Sequence, residues 1–169
     1  MGKQDNKEKN RDKDQKATGR AVVATLNRQQ ANALVAYLNY KKYHWLTYGP
    51  LFRDIHLLLD EQATATYAMI DELAERALMI GGQPVADPAD YLPAATVPPS
   101  KGSLSARAML QEAAATLDTI AREMHADAEV ATAAGDIGTA DLYTRLVQVH
   151  QKNRWFLAEI LKKRDGLVS

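Results

Sequence analysis

Glycine and proline breaks fall at only a few positions and leave four long helical stretches between them; no other feature limits the fold as tightly. From about Ala21 the chain reads as helix to about Tyr48, where Gly49-Pro50 ends one helix and starts the next. A second helix runs from about Leu51 to Ile80 and stops at Gly81-Gly82. A third, rich in alanine, runs from about Ser103 to Ala134, and Gly135 separates it from a fourth, Asp136 to Lys163. The link between the second and third, Gln83 to Lys101, carries prolines at 84, 88, 93, 98 and 99. Asp87-Pro88 reads there as an N-cap and a first-turn proline, which predicts a short helix near Pro88–Leu92. Two short links and one long one describe an all-α four-helix bundle with a single long crossover, not a simple up-and-down bundle. The apolar spacing places Val22, Leu26, Leu34, Tyr37, Leu38, Lys41 and Trp45 on one stripe of the first helix. On the second it selects Leu51, Ile55, Leu58, Leu59, Tyr67, Ile70, Leu73, Ala74 and Leu78. Trp155 is expected in the core.

The bundle should span residues 21–164. Before it, residues 1–20 lack any large apolar side chain after Met1 and are expected as a flexible, locally basic tail. The tail holds seven cationic residues, Lys3, Lys7, Lys9, Arg11, Lys13, Lys16 and Arg20, against Asp5, Glu8, Asp12 and Asp14. Residues 165–169 read as a short C-terminal tail. The chain has no cysteine, which excludes disulfides, zinc–thiolate sites, iron–sulfur clusters and thiol catalysis. No signal-type segment and no membrane-spanning run is present in the sequence, so a cytoplasmic protein is expected. Formal net charge is zero, so attraction to nucleic acid would have to come from a local patch.

Five metal-ligand residue types stand in a regular array: His44, His56, Asp60, Asp71 and Glu75. His56/Asp60 and Asp71/Glu75 are i,i+4 pairs, each on one face of the second helix. The two pairs lie eleven residues apart, roughly 16 Å along the axis, too far for one centre. Eleven residues is also close to three turns, so both pairs point the same way. A two-fold copy running antiparallel would close His56/Asp60 of one subunit on Asp71/Glu75 of the other. The Glu-x-x-His spacing of ordinary di-iron bundles is absent, which argues against a centre inside one bundle.

The segments Lys42-Tyr43-His44-Trp45, Gly49-Pro50-Leu51-Phe52, His56-Leu57-Leu58-Leu59-Asp60 and Ile70-Asp71-Glu72-Leu73-Ala74-Glu75-Arg76-Ala77 resemble the Dps family of mini-ferritins (DNA-binding protein from starved cells). The likeness extends through Asp136, Thr139, Asp141, Leu142, Trp155, Phe156 and Leu157, nearly the whole chain beyond the tail. It implies a ferritin-like bundle, with the extra crossover helix at the two-fold contact, assembling as a hollow homododecamer. It also implies oxidation of Fe(II) by hydrogen peroxide or O2 and storage of ferric mineral. By this resemblance His44, His56 and Asp60 come from one subunit and Asp71 and Glu75 from its partner. Asp60 and Glu61 would serve the second iron and early mineral. Leu57 follows His56 where relatives often carry more acid.

Other residues are weighed against plainer roles. Trp45 is an oxidisable aromatic beside the iron or, more simply, interface packing. Asp136 and Asp141 would form an acidic ring at a three-fold ion-access pore, with Arg145 either pairing with Asp141 or narrowing the passage. His125 and Glu129 read as a surface pair, and His150 is not expected as a ligand. Twelve tails could hold DNA by avidity, through phosphates and with steep salt dependence. Two further readings stay open: a metal-buffering shell using zinc at the same ligands, and a nucleoid-structuring protein that merely presents its tails.

Overall fold

The computed structural model describes the backbone of residues 2–162 and the side chains from Thr18 onward. Its described part is helical without strands: α1 Gly2–Leu46, α2 Phe52–Met79, α3 Pro88–Ala94, α4 Ala106–Ala133 and α5 Ile137–Leu161. The four long helices and the short crossover helix stand where the breaks place them, within a few residues. The start of α1 is the large difference. The helix begins at Gly2 rather than near Ala21, through the stretch expected as a tail. Lys, Gln, Glu and Arg propagate a helix well once a packed segment has nucleated it, and apolar periodicity does not register that. The C-terminal tail, 165–169, lies outside the described residues.

Local chemistry sets the ends. Ser105 caps α4 by accepting from the Ala108 N–H at 3.2 Å. Asp136 caps α5 by accepting from the Thr139 N–H at 3.0 Å. Between them Gly135 takes φ +75°, and the N–H groups of Gly135 and Asp136 donate back to Thr132 and Ala131. That left-handed residue with its reversed bonds is a Schellman stop, which a side chain at 135 would strain.

Cross-helix contacts fix the topology. Arg28 meets Asp127 and Tyr43 meets Glu112, so α1 runs antiparallel to α4. Gln62 meets Asn153 and Arg76 meets Asp136, so α2 runs antiparallel to α5. Lys41–Asp60 and Arg154–Asp118 make α1/α2 and α4/α5 antiparallel pairs as well. Consequently α2 and α4 are parallel, and the chain between them must traverse the length of the bundle. This is why the link is long.

Prolines keep much of the crossover from bonding to itself, and α1 bonds it instead. Gln30 donates to the Val85 carbonyl at 2.9 Å and accepts from the Val85 N–H at 3.0 Å. Asn32 accepts from the N–H groups of Thr96 and Val97 at 2.8 and 3.2 Å. Asn39 donates to the Pro98 carbonyl at 3.0 Å and accepts from the Ser100 N–H at 2.8 Å. All three amides are buried.

This corrects the expected stripe of α1. Its inward face is Val22, Leu26, Ala33, Ala36, Tyr40 and Tyr43 with those amides between, while Leu38 and Trp45 point outward. On α2, Ile55, Leu59 and Leu73 are core, but Leu51, Tyr67 and Leu78 are exposed. Trp155, expected inside, is 55% exposed and rests against Phe156 with ring centroids 4.9 Å apart.

Candidate metal centre

The end of α1 and the start of α2 bring the two histidines together. Gly49-Pro50 reverses the chain, and the rings of His44 and His56 stack with centroids 3.6 Å apart and planes 21° from parallel. Each Nδ1 lies 2.8 Å from the backbone carbonyl of the other residue. A carbonyl oxygen only accepts, so each Nδ1 carries the proton and donates it. In a neutral imidazole that leaves Nε2 with a bare lone pair, the atom a metal would use. The reciprocal bonds fix ring orientation and tautomer without a third residue. Phe52 lies beside His56, its ring centroid 5.1 Å away.

Asp60 lies one turn beyond His56 on α2. Lys41 of α1 donates to its Oδ1 at 2.6 Å, and that ammonium holds the carboxyl below its usual range. The same ammonium sits 5.7 Å from the Trp45 ring, which is 67% exposed. Lys41, placed on the apolar stripe from spacing alone, is therefore the counter-ion of a candidate ligand. Only the register of α1 against α2 reveals it.

Asp71 and Glu75 are exposed further along α2, on the side that carries Asp60. Among the described residues, no three His, Asp or Glu side chains of one protomer converge to hold a metal. The protomer thus presents two separated halves: two imidazoles with a carboxylate, and two carboxylates. Glu61 is exposed beside Asp60. Imidazole and carboxylate together suit iron or zinc, whereas sites made only of oxygen favour Mg2+ or Ca2+.

The remaining candidates sort differently. The Asp136 carboxylate is turned inward. Burial works to raise its pKa, but bonds from the Thr139 O–H and N–H and the Arg76 guanidinium outweigh that and hold it low. Thr139 also accepts from Arg76 Nε at 2.9 Å, so Asp136 joins α5 to α2 within one subunit. Arg145 pairs with Glu72 of α2 and not with Asp141. Asp141 is exposed, with no ion partner among the described residues. Spacing along α5 could not show either pairing, because both partners lie on α2. His125 and Glu129 are a highly exposed i,i+4 pair, 3.9 Å apart. Of the basic tail residues, Arg20 is exposed; the side chains of Lys3, Lys7, Lys9, Arg11, Lys13 and Lys16 lie outside the described residues. No helix among the described residues is long and apolar enough to cross a membrane.

Comparison with known proteins agrees with the bundle. A model of the ferritin-like domain matches residues 23–166. The structure of Dps from Thermosynechococcus elongatus aligns with a TM-score of 0.90 at 67% identity, covering 92% of this chain and 99% of that one. DNA protection during starvation protein 1 of Deinococcus radiodurans is 36% identical over 141 residues, which cover 83% of this chain and 68% of that protein. The Dps protein of Vibrio cholerae, described as a member of a broad superfamily of ferritin-like diiron-carboxylate proteins, aligns at 29% identity with a TM-score of 0.82, covering 86% of this chain and 92% of that one.

Proposed function

Because this chain belongs to the Dps family of ferritin-like proteins, we propose that it oxidises Fe(II) at sites shared between two-fold related subunits and stores the ferric product inside a dodecameric shell. One observation carries the reading: α2, joined by His44 from the end of α1, carries two ligand halves on one side, and among the described residues neither half forms a metal cluster by itself. An antiparallel partner brings His56 level with Glu75 and Asp60 level with Asp71 in one register. Both pairings share a midpoint between Ala65 and Thr66, as a two-fold axis requires. His44, His56 and Asp60 would then face Asp71 and Glu75 of the second copy.

Iron is the substrate here. Two Fe(II) each give up one electron, hydrogen peroxide takes both, its O–O bond breaks, and two protons complete two waters. The chain's part is to hold two ions together so that both electrons leave in one encounter. The bare Nε2 atoms supply neutral donors, while the carboxylates offset the charge that grows as iron is oxidised. Zinc would fit the same donors without turnover. Glu61 would collect product iron beside the site, and Asp141 would line the ion-access pore. Asp136 is a weaker pore candidate because Arg76 already holds its carboxylate. The resulting consumption of iron and peroxide would protect DNA in the cytoplasm. The tail residues Lys3 to Arg20 would add a salt-sensitive contact with DNA phosphates; a low-salt gel shift with and without residues 1–20 tests that contact.

Subunit complementation tests the shared site. One variant carries His44→Ala and His56→Ala, the other Asp71→Ala and Glu75→Ala, and stopped-flow oxidation of Fe(II) by peroxide is the readout. Each alone should fall to the uncatalysed rate. Co-assembled in equal amounts, they should recover roughly a quarter of wild-type activity, since half the pairs are mixed and each mixed pair holds one intact site. A site contained in one subunit would recover nothing.

A further inference from the structure

The centre of the bundle holds polar side chains that the interface site does not use. His150 of α5 is 1% exposed, and neither ring nitrogen has a hydrogen-bond partner among the described residues. Gln62 of α2 donates through Nε2 to the Asn153 carbonyl at 3.2 Å, but its Oε1 has no partner. The Nδ2 of Asn153 and the hydroxyl of Tyr40 have none either. All four residues are buried.

Helix register places these groups at one level of the bundle. The Gln62–Asn153 contact fixes α2 against antiparallel α5, so Thr66, one turn along α2, stands level with His150, one turn back on α5. On the other side, Lys41–Asp60 and Tyr37–Tyr67 bracket Tyr40 on α1 and Gln62 and Thr66 on α2. The Thr66 hydroxyl is already satisfied, donating to the Gln62 carbonyl at 2.8 Å. The other groups are not, and each buried polar atom left unpaired carries a desolvation cost. Native interiors remove that cost with ordered water wherever two to four polar atoms surround it.

We propose that this layer is a built hydration site, in which one or two ordered waters bridge His150 to Gln62, Asn153 and Tyr40 inside every subunit. The donor set selects water over a metal ion. A neutral imidazole gives one N–H and one lone pair, the Tyr40 hydroxyl and Asn153 amide donate, and the Gln62 oxygen accepts. Water, with two hydrogens and two lone pairs, answers both kinds. No carboxylate belongs to the group, so a divalent ion would bring uncompensated charge into the core. Burial also keeps the ring neutral, pushing its pKa down to about 4. Ordinary di-iron bundles place Glu-x-x-His ligands in the bundle core; this core offers neutral partners instead.

The inference does not rest on the iron reading, and one crystallographic experiment separates them. High-resolution crystals of the full assembled protein should show water density within about 3 Å of a His150 ring nitrogen and of at least one of the other three side chains. Crystals soaked anaerobically in Fe(II) should show no anomalous iron peak at this layer. An empty layer, side chains paired directly with one another, or an iron peak beside His150 would each overturn it. A His150→Leu crystal is the second arm: water density should be lost or displaced there, and unchanged density would show that the ring is not a partner. Iron peaks at the subunit boundary are scored separately, so the failure of either proposal remains distinguishable.

Discussion

At the scale of single residues, the Lys41 ammonium of α1 already answers the charge of Asp60 on α2 within one subunit. A cation at Asp60 must displace that ammonium, which bonds the carboxylate at 2.6 Å. Lys41→Met should therefore tighten Zn2+ binding in the assembled protein, roughly three- to tenfold given the modest worth of an exposed ion pair. Isothermal titration calorimetry reads this directly, and equal or weaker binding would remove Lys41 as a competitor. His150 gives a pH prediction whose sign follows from its environment. Desolvation alone lowers its pKa from 6.5 to about 4, with no charged group contributing. The unfolded chain therefore binds this proton first as pH falls, so stability is full above about pH 6.5 and declines toward pH 4. The loss is on the order of 3 kcal/mol per subunit. Urea unfolding at pH 7 and pH 5 should show a gap that His150→Leu narrows; an equal gap in both proteins would refute the assignment.

At the scale of elements, the breaks located every long helix, while the face each helix buries was only half legible. On α2 the apolar positions are large, and several of them did mark the core. On α1 the buried face mixes small apolar residues with Gln29, Gln30, Asn32 and Asn39, a composition that reads as solvent-facing. Gln30, Asn32 and Asn39 are buried because the proline-rich crossover supplies them with backbone groups, and Gln29 because the Asp127 carboxylate of α4 accepts from it. The start of α1 at Gly2 escapes apolar periodicity for a related reason: charged helix formers extend a helix without leaving an apolar trace. The amide bonds give a direct test of the crossover. Asn32→Ala would strip partners from the Thr96 and Val97 N–H groups and from the carboxylate of Glu123. Leaving buried groups unpaired should cost about 2–4 kcal/mol, read as a lower urea midpoint. Limited proteolysis should cut first within residues 83–101. A variant as stable and as resistant as the parent would mean that the crossover holds without α1.

At the scale of the whole molecule, the protomer is unfinished. Leu38, Trp45, Leu57, Tyr67 and Leu78 expose large apolar surface along α1 and α2, around the two ligand halves. Monomers rarely leave such a patch open. The sequence points to a partner through the eleven-residue gap between the ligand pairs and through the family resemblance; the extent of the exposed face follows only from helix register. The shared midpoint adds a requirement that the ligands do not state. In the proposed pairing two copies of α2 cross between Ala65 and Thr66, where the exposed positions are Thr64, Tyr67 and Ala68. The small side chains of Thr64 and Ala68 let the two helices approach there, and Tyr67 offers an apolar ring for the partner to cover. Thr64→Arg should block that approach, because the two-fold axis would set two bulky cations against each other at a crowded contact. Thr64 is exposed in the protomer, so helix content and core packing should survive. Light scattering should report a mass well below the wild-type assembly, and Fe(II) oxidation by peroxide should drop to the uncatalysed rate with all five ligand residues present. Retention of both mass and oxidation would place the α2 crossing elsewhere and leave the shared centre without a geometry.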